Sequence, residues 1–88
     1  LSAASKRHMG RVAELGCIIC DSPAQVHHIR KPGLTGAGQR ASDWLVLPLC
    51  MEHHTGGTGI HTLGRENWEG IYEDQLHLWE KVMDRAYK

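Results

Sequence analysis

Cysteine and histidine stand at ligand spacing in two separate stretches, and that pairing limits this chain more than any other feature. Cys17 and Cys20 form a CxxC pair, and Cys50 and His53 lie at i and i+3. On an early helical turn the i, i+3 spacing puts both side chains on one face. Four ligands of the Cys₃His type close a tetrahedral zinc site. Such a site ties three distant parts of the chain to one ion, and its binding energy is folding energy. At 88 residues the chain makes one domain, 1–88, with a modest core, so a metal cross-link would matter to its stability. Three cysteines is an odd number, which argues against a disulfide framework and for metal binding in a reducing compartment. Three unliganded cysteines buried as small hydrophobes would leave the CxxC spacing unexplained. His54 is the alternative fourth ligand, and that choice would free His53 for another use.

Net charge is zero but unevenly spread. Residues 1–42 hold six Lys/Arg against two Asp/Glu, and residues 43–88 hold four against eight. A basic half facing phosphates and an acidic half facing away fits this split, as do two solvated faces. No apolar run reaches the length of a membrane span. The first sixteen residues mix Lys6, Arg7, His8 and Arg11 with small residues, so no signal peptide is expected. The chain does not begin with Met, which suits a trimmed start or a part of a longer protein.

The pattern of the chain predicts an α+β domain. Residues 2–15 read as a helix capped by Ser2 or Ser5, with Met9, Val12 and Leu15 on one face and Gly16 as its stop. The CxxC pair then sits in a tight turn. Residues 25–30 read as a strand, and 31–42, with Pro32, Gly33, Gly36 and Gly38, as an irregular loop of the kind that often carries function. Residues 44–47 read as a second strand whose pairing Pro48 ends. Residues 50–55 form a short helix, which Gly56 and Gly57 stop. Residues 65–72 are helical, and a last helix runs from Glu73-Asp74 to about Tyr87 with Leu76, Trp79, Val82 and Met83 on its apolar stripe. Trp44, Trp68 and Trp79 are expected in the core rather than as base-stacking platforms.

Taking Cys17, Cys20, Cys50 and His53 for zinc leaves His27, His28, His54 and His61. His54 follows His53 and therefore points about 100° away around a helix. Three glycines between His54 and His61 allow the chain to fold back and bring His61 near. On an ideal strand His27 and His28 point to opposite faces, so both serve one site only where the strand ends or bulges. His8 and His77 are expected to be surface or satisfied core residues.

The order CxxC, His-His-Ile, a glycine-bearing loop, Leu-Cys-x-x-His-His and a later His resembles the HNH endonucleases. More narrowly, His27-His28-Ile29-Arg30, Gly38-Gln39-Arg40-Ala41-Ser42-Asp43, Pro48-Leu49-Cys50 and Gly56-Gly57 resemble the phage Ref recombination-enhancement nucleases, which depend on RecA. The likeness covers residues 8 to about 79. It implies a small ββα-metal fold (a treble-clef zinc, or His-Me finger, unit) with flanking helices. It implies that His28 is the general base on water, and that His27, His54 and His61 hold a catalytic divalent cation (magnesium, manganese or zinc). The central Asn of HNH has no clear match. Asp43 is nearest, and either orients His28 or only pins the loop. The resemblance also implies DNA as substrate, a RecA filament as partner, and the cytoplasm of a bacterial host carrying a phage or prophage.

Those residue types suit phosphodiester hydrolysis. Imidazole takes a proton from water near neutral pH, and a divalent ion on the phosphate offsets the charge that builds there. Neutral histidine ligands leave that ion its full positive charge. Arg30, Lys31 and Arg40 flank the site in sequence and are the expected DNA contacts, Arg30 first. Lys6, Arg7 and Arg11 offer further backbone contacts. A non-catalytic zinc module that binds DNA or protein is the competing reading. It needs the Cys₃His set but has no use for the other four histidines.

Overall fold

The computed structural model describes residues 2–34 and 42–88. Arg40 and the glycines at 36 and 38 lie outside them. Helix α1 spans Ala3–Glu14, opened by the Ser2 hydroxyl, which accepts from the Ser5 N–H at 3.0 Å. Ser5, His8 and Val12 form its buried face, the three- and four-residue spacing of an amphipathic helix. Gly16 ends it at φ +81°, and a Cβ there would meet the Asp21 carbonyl oxygen at 2.8 Å. The chain turns back through the CxxC knuckle, where the Asp21 N–H donates to the Cys17 carbonyl and the Cys17 N–H to the Ser22 carbonyl, both at 2.8 Å.

Strand β1, Gln25–His28, pairs antiparallel with β2, Val46–Leu49. The second strand therefore begins later than the sequence predicts, and Pro48 lies inside the pairing, opposite Val26. The register explains why. The Ile29 N–H donates to the Leu45 carbonyl, so hydrogen-bonded pairs fall at 29/45, 27/47 and 25/49, and 26/48 is a non-bonded pair. The N–H that proline lacks would have faced away from β1. The Pro48 carbonyl, on that outer side, accepts from the Ile18 N–H at 2.9 Å and ties the knuckle to the sheet. All four residues of β2 are buried, with α1 and α5 packed against the strand.

After the sheet come α2 (Met51–His54), α3 (Ile60–Leu63), α4 (Arg65–Ile71) and α5 (Gln75–Ala86). Helix α3 was not expected from the sequence. Val12, Ile29, Val46, Leu47, Leu49, Ile60, Trp68, Leu78 and Val82 form the buried core. The buried stripe of α5 is Gln75, Leu78, Val82 and Ala86; of the expected stripe only Val82 lies on it, and Leu76, Trp79 and Met83 are its half-buried shoulders. A polar residue takes an inward position because its amide has a partner there, described below. Trp68 is fully buried as expected, but Trp44 is 45 % exposed. The result is a small α+β fold, a two-stranded sheet with helices around it. Among the described residues no helix is long and apolar enough to cross a membrane.

Candidate metal centre

The fold brings Cys17, Cys20, Cys50 and His53 together, with one ligand atom from each lying within 4.8 Å of the others. The knuckle supplies the first two, the residue capping α2 the third, and α2 the fourth. Cys20 Sγ to Cys50 Sγ is 3.7 Å, Cys17 Sγ to His53 Nδ1 is 3.7 Å, and Cys50 Sγ to His53 Nδ1 is 3.2 Å. Zinc–ligand bonds of about 2.0–2.3 Å give tetrahedral edges of roughly 3.4–3.8 Å; the two 3.7 Å edges fall in that range and the Cys50–His53 edge is a little shorter, so the four donors could hold a metal such as zinc. The Cys20 thiol is lowered to about 6, first by the Ser22 hydroxyl and then by the Ser22 backbone, which favours the ligating thiolate. Burial pushes the Cys17 thiol the other way.

A second cluster joins His27, His54 and His61, again with ligand atoms within 4.8 Å of one another. His53 and His54 thus point to different clusters, and His54 is not in the cysteine set. His54 Nε2 meets His61 Nε2 at 3.0 Å, where a metal–nitrogen bond of about 2.1 Å separates neighbouring ligands by roughly 3.0–3.4 Å. The outer nitrogens are held by amides. His27 Nε2–H donates to Gln75 Oε1 at 2.9 Å, and His54 Nδ1–H donates to Gln25 Oε1 at 3.0 Å. Each bond fixes the tautomer whose other nitrogen carries a lone pair, the usual support of a metal-ligating histidine. Burial is the first cause that pushes His27 down to about 4, and the neighbouring histidines act the same way. His54 is also lowered, by burial and then by His61.

The glycine turn makes this cluster possible. A Cβ at Gly59 would lie 2.6 Å from the His54 carbonyl carbon and oxygen, and one at Gly56 would lie 2.7 Å from Glu52 Cα. Only bare backbone packs that closely, and it lets α3 return over the end of α2 with His61 aimed at His54. Glu52 closes the turn by accepting from the Thr58 N–H and hydroxyl, both at 2.8 Å.

His28 leaves the strand on the other side of His27 and meets a carboxylate. Its Nε2 is 2.8 Å from Asp43 Oδ1, so Nε2–H donates there and Nδ1 keeps the lone pair. His27 and His28 nevertheless border one open cavity of about 500 Å³, with His54, His61, Arg30 and Arg65. The strand ends at His28, which meets the condition for both histidines to serve one site. Arg30 is where the sequence suggested. The Lys31 ammonium, expected beside DNA, is held between Glu69, at 2.9 Å, and Asp74. Asp74, foremost, raises the Lys31 pKa. Sequence reasoning missed Gln25, Gln75 and Arg65. The one available signal was Gln75, a polar residue in phase with Leu78 and Val82.

A family described as "Protein of unknown function (DUF968)" matches residues 2–88. The "Uncharacterized protein YdfU" of Escherichia coli (strain K12) is 39 % identical over 71 residues. That alignment takes in 80 % of this chain and 19 % of YdfU, so the chain corresponds to a minor part of that relative. No solved structure matches the chain. The match across residues 2–88 makes this chain a member of the DUF968 family.

Proposed function

We propose that this chain is a metal-dependent endonuclease of the HNH type, with a ββα-metal fold, hydrolysing phosphodiester bonds in DNA. One observation carries the reading: His28, hydrogen-bonded to Asp43 behind it, borders the same cavity as the His27, His54 and His61 cluster. A divalent ion held by the three histidines would supply positive charge at the scissile phosphate. The chain's own groups do the rest. Asp43 holds the Nε2–H tautomer of His28 and steadies the positive charge that forms on it. His28 Nδ1 takes a proton from water, the water oxygen bonds to phosphorus, and the phosphorus–oxygen bond to the leaving group breaks. That oxygen takes up a proton from solvent. Arg30 and Arg65, on the rim, suit the phosphate as charge-assisted donors.

The Cys₃His cluster is read as structural zinc, a closed set without an open position. The Ref-like motifs extend the reading to DNA held in RecA filaments, and few phosphate contacts on a neutral chain suit a partner that raises local concentration. The test is incubation of the zinc-containing protein with naked and RecA-coated DNA, each with magnesium, manganese or added zinc. Cleavage with at least one ion, stronger on RecA-coated strands, is expected. An intact substrate under every condition would leave a non-catalytic zinc module in its place.

A further inference from the structure

A second face of the molecule carries a row of rings. His8 is 2 % exposed and lies between two aromatic side chains. Its ring centroid is 4.6 Å from that of Trp44 and 5.6 Å from that of Tyr87, with interplanar angles of 31° and 10°. The Arg11 guanidinium lies 5.0 Å over the Tyr87 ring. Hydrogen bonds lock the row: His8 Nδ1 with the Tyr87 hydroxyl, His8 Nε2 with the Trp44 carbonyl at 3.2 Å, and Trp79 Nε1–H to that same carbonyl at 3.0 Å.

An anchor for the chain's last helix would account for the contacts but not for what is left open. Trp44 and Tyr87 are 45 % and 48 % exposed and line a groove of about 1000 Å³, with Arg7, Arg11 and the acidic Glu14 also on its wall. Rigid rings with an accessible surface lose little freedom on stacking another ring. Guanidinium groups beside them suit phosphates as charge-assisted donors, with one Arg11 N–H already donating to the Ala86 carbonyl at 2.9 Å. Trp44 is also the chain neighbour of Asp43, whose carboxylate holds His28. The groove therefore opens one residue away from the dyad.

We propose that this groove binds an unpaired DNA strand, with a base stacked on Trp44 and phosphates met by Arg7 and Arg11. The choice of DNA rests on the nuclease reading; the choice of an unpaired strand rests on the rings, since bases within a duplex have no free face to offer. The strand would lead from this groove past Trp44 toward the His28 cavity.

The test measures fluorescence anisotropy of a labelled oligothymidylate of about twelve nucleotides and of a duplex of the same length. It uses the full zinc-containing chain without added divalent ion. The single strand is expected to bind more tightly than the duplex. Trp44→Ala should weaken its binding on the order of tenfold, with Trp44→Phe retaining most of it. Arg7→Ala, at an exposed position, should weaken binding and reduce the salt slope by about 0.7. It carries the test where circular dichroism shows Trp44→Ala to be misfolded. Equal affinity for both DNA forms, or wild-type binding by a folded Trp44→Ala and by Arg7→Ala, overturns the proposal. Cleavage of DNA by a protein whose binding ignores Trp44 and Arg7 overturns this groove alone. Strand binding through Trp44 by a protein that cuts no DNA supports the groove and removes only the nuclease reading.

Discussion

Two ligand clusters share one helical turn, taking the consecutive residues His53 and His54, and they are built differently. Around Cys17, Cys20, Cys50 and His53, three sulfurs and one nitrogen converge, and the His53 ring packs edge-on against Tyr72, which is itself tilted against Trp68 at 5.1 Å. Around His27, His54 and His61 only nitrogens converge, and the cavity stands open beside them. The first set supplies four donors, enough for a tetrahedral metal, and is backed by aromatic rings. The second supplies three nitrogen donors and leaves room for other ligands. On the proposed reading, an ion in the first set would hold the chain together and an ion in the second would meet something arriving from solution.

The sharpest break in that comparison is Cys17→Ser. Removing a thiolate from a closed set should leave the protein unfolded or insoluble, with its tightly held zinc lost. Metal analysis together with circular dichroism checks this. A soluble, folded, zinc-free variant would mean the cysteine cluster is dispensable. His28→Ala should do the reverse. It should keep fold and zinc content while cleavage falls by roughly 10²–10⁴-fold, measured as initial rates on one DNA substrate. Full activity in that variant would remove His28 as the base.

Gly59→Ala probes how the open cluster is assembled. The added methyl would meet the His54 backbone at 2.6 Å, so α3 must shift and carry His61 with it. Affinity for the second ion should drop roughly 10–100-fold while the cysteine cluster keeps its zinc. Titration calorimetry with manganese follows the first quantity. Unchanged affinity would show that His61 is not needed there.

The smallest effect concerns pH. His27 is depressed from 6.5 to about 4, foremost by burial. Between those values the unfolded chain binds a proton that the folded chain refuses. Its contribution to stability is therefore present above pH 6.5 and lost as pH falls toward 4. Protein carrying only its tightly held zinc should melt a few degrees lower at pH 5 than at pH 7, and His27→Gln should flatten that slope. A slope unchanged by His27→Gln would assign the pH response elsewhere.

Much of the site was legible because ligand spacing is a local property. The CxxC pair, the i, i+3 pair and the 100° turn between His53 and His54 all follow from short stretches of chain. What sequence could not supply came from distant contacts. Gln75 reaches His27 and Gln25 reaches His54 only once α5 and α2 have docked on β1. Asp43 was the nearest candidate by position, and the antiparallel pairing brought it to His28. Pro48 was read as a stop because proline lacks a donor, but whether that donor is needed depends on register, which the strand alone does not reveal. The carboxylates that hold the Lys31 ammonium come from α4 and from the residue capping α5, far along the chain. The last helix was correctly found but wrongly phased, since a buried glutamine counts as polar until its partner is known.

Helix α2 has four residues, and its last two face different clusters. Inserting one residue between His53 and His54 would rotate the second by a further 100° or so and advance it by about 1.5 Å, breaking one cluster whichever histidine kept its place. The two sites therefore cannot drift apart in a lineage or be transplanted separately. Were both clusters to hold ions, an ion stiffening this turn from one side would lower the entropy its counterpart must overcome on the other, and linkage would make the help mutual.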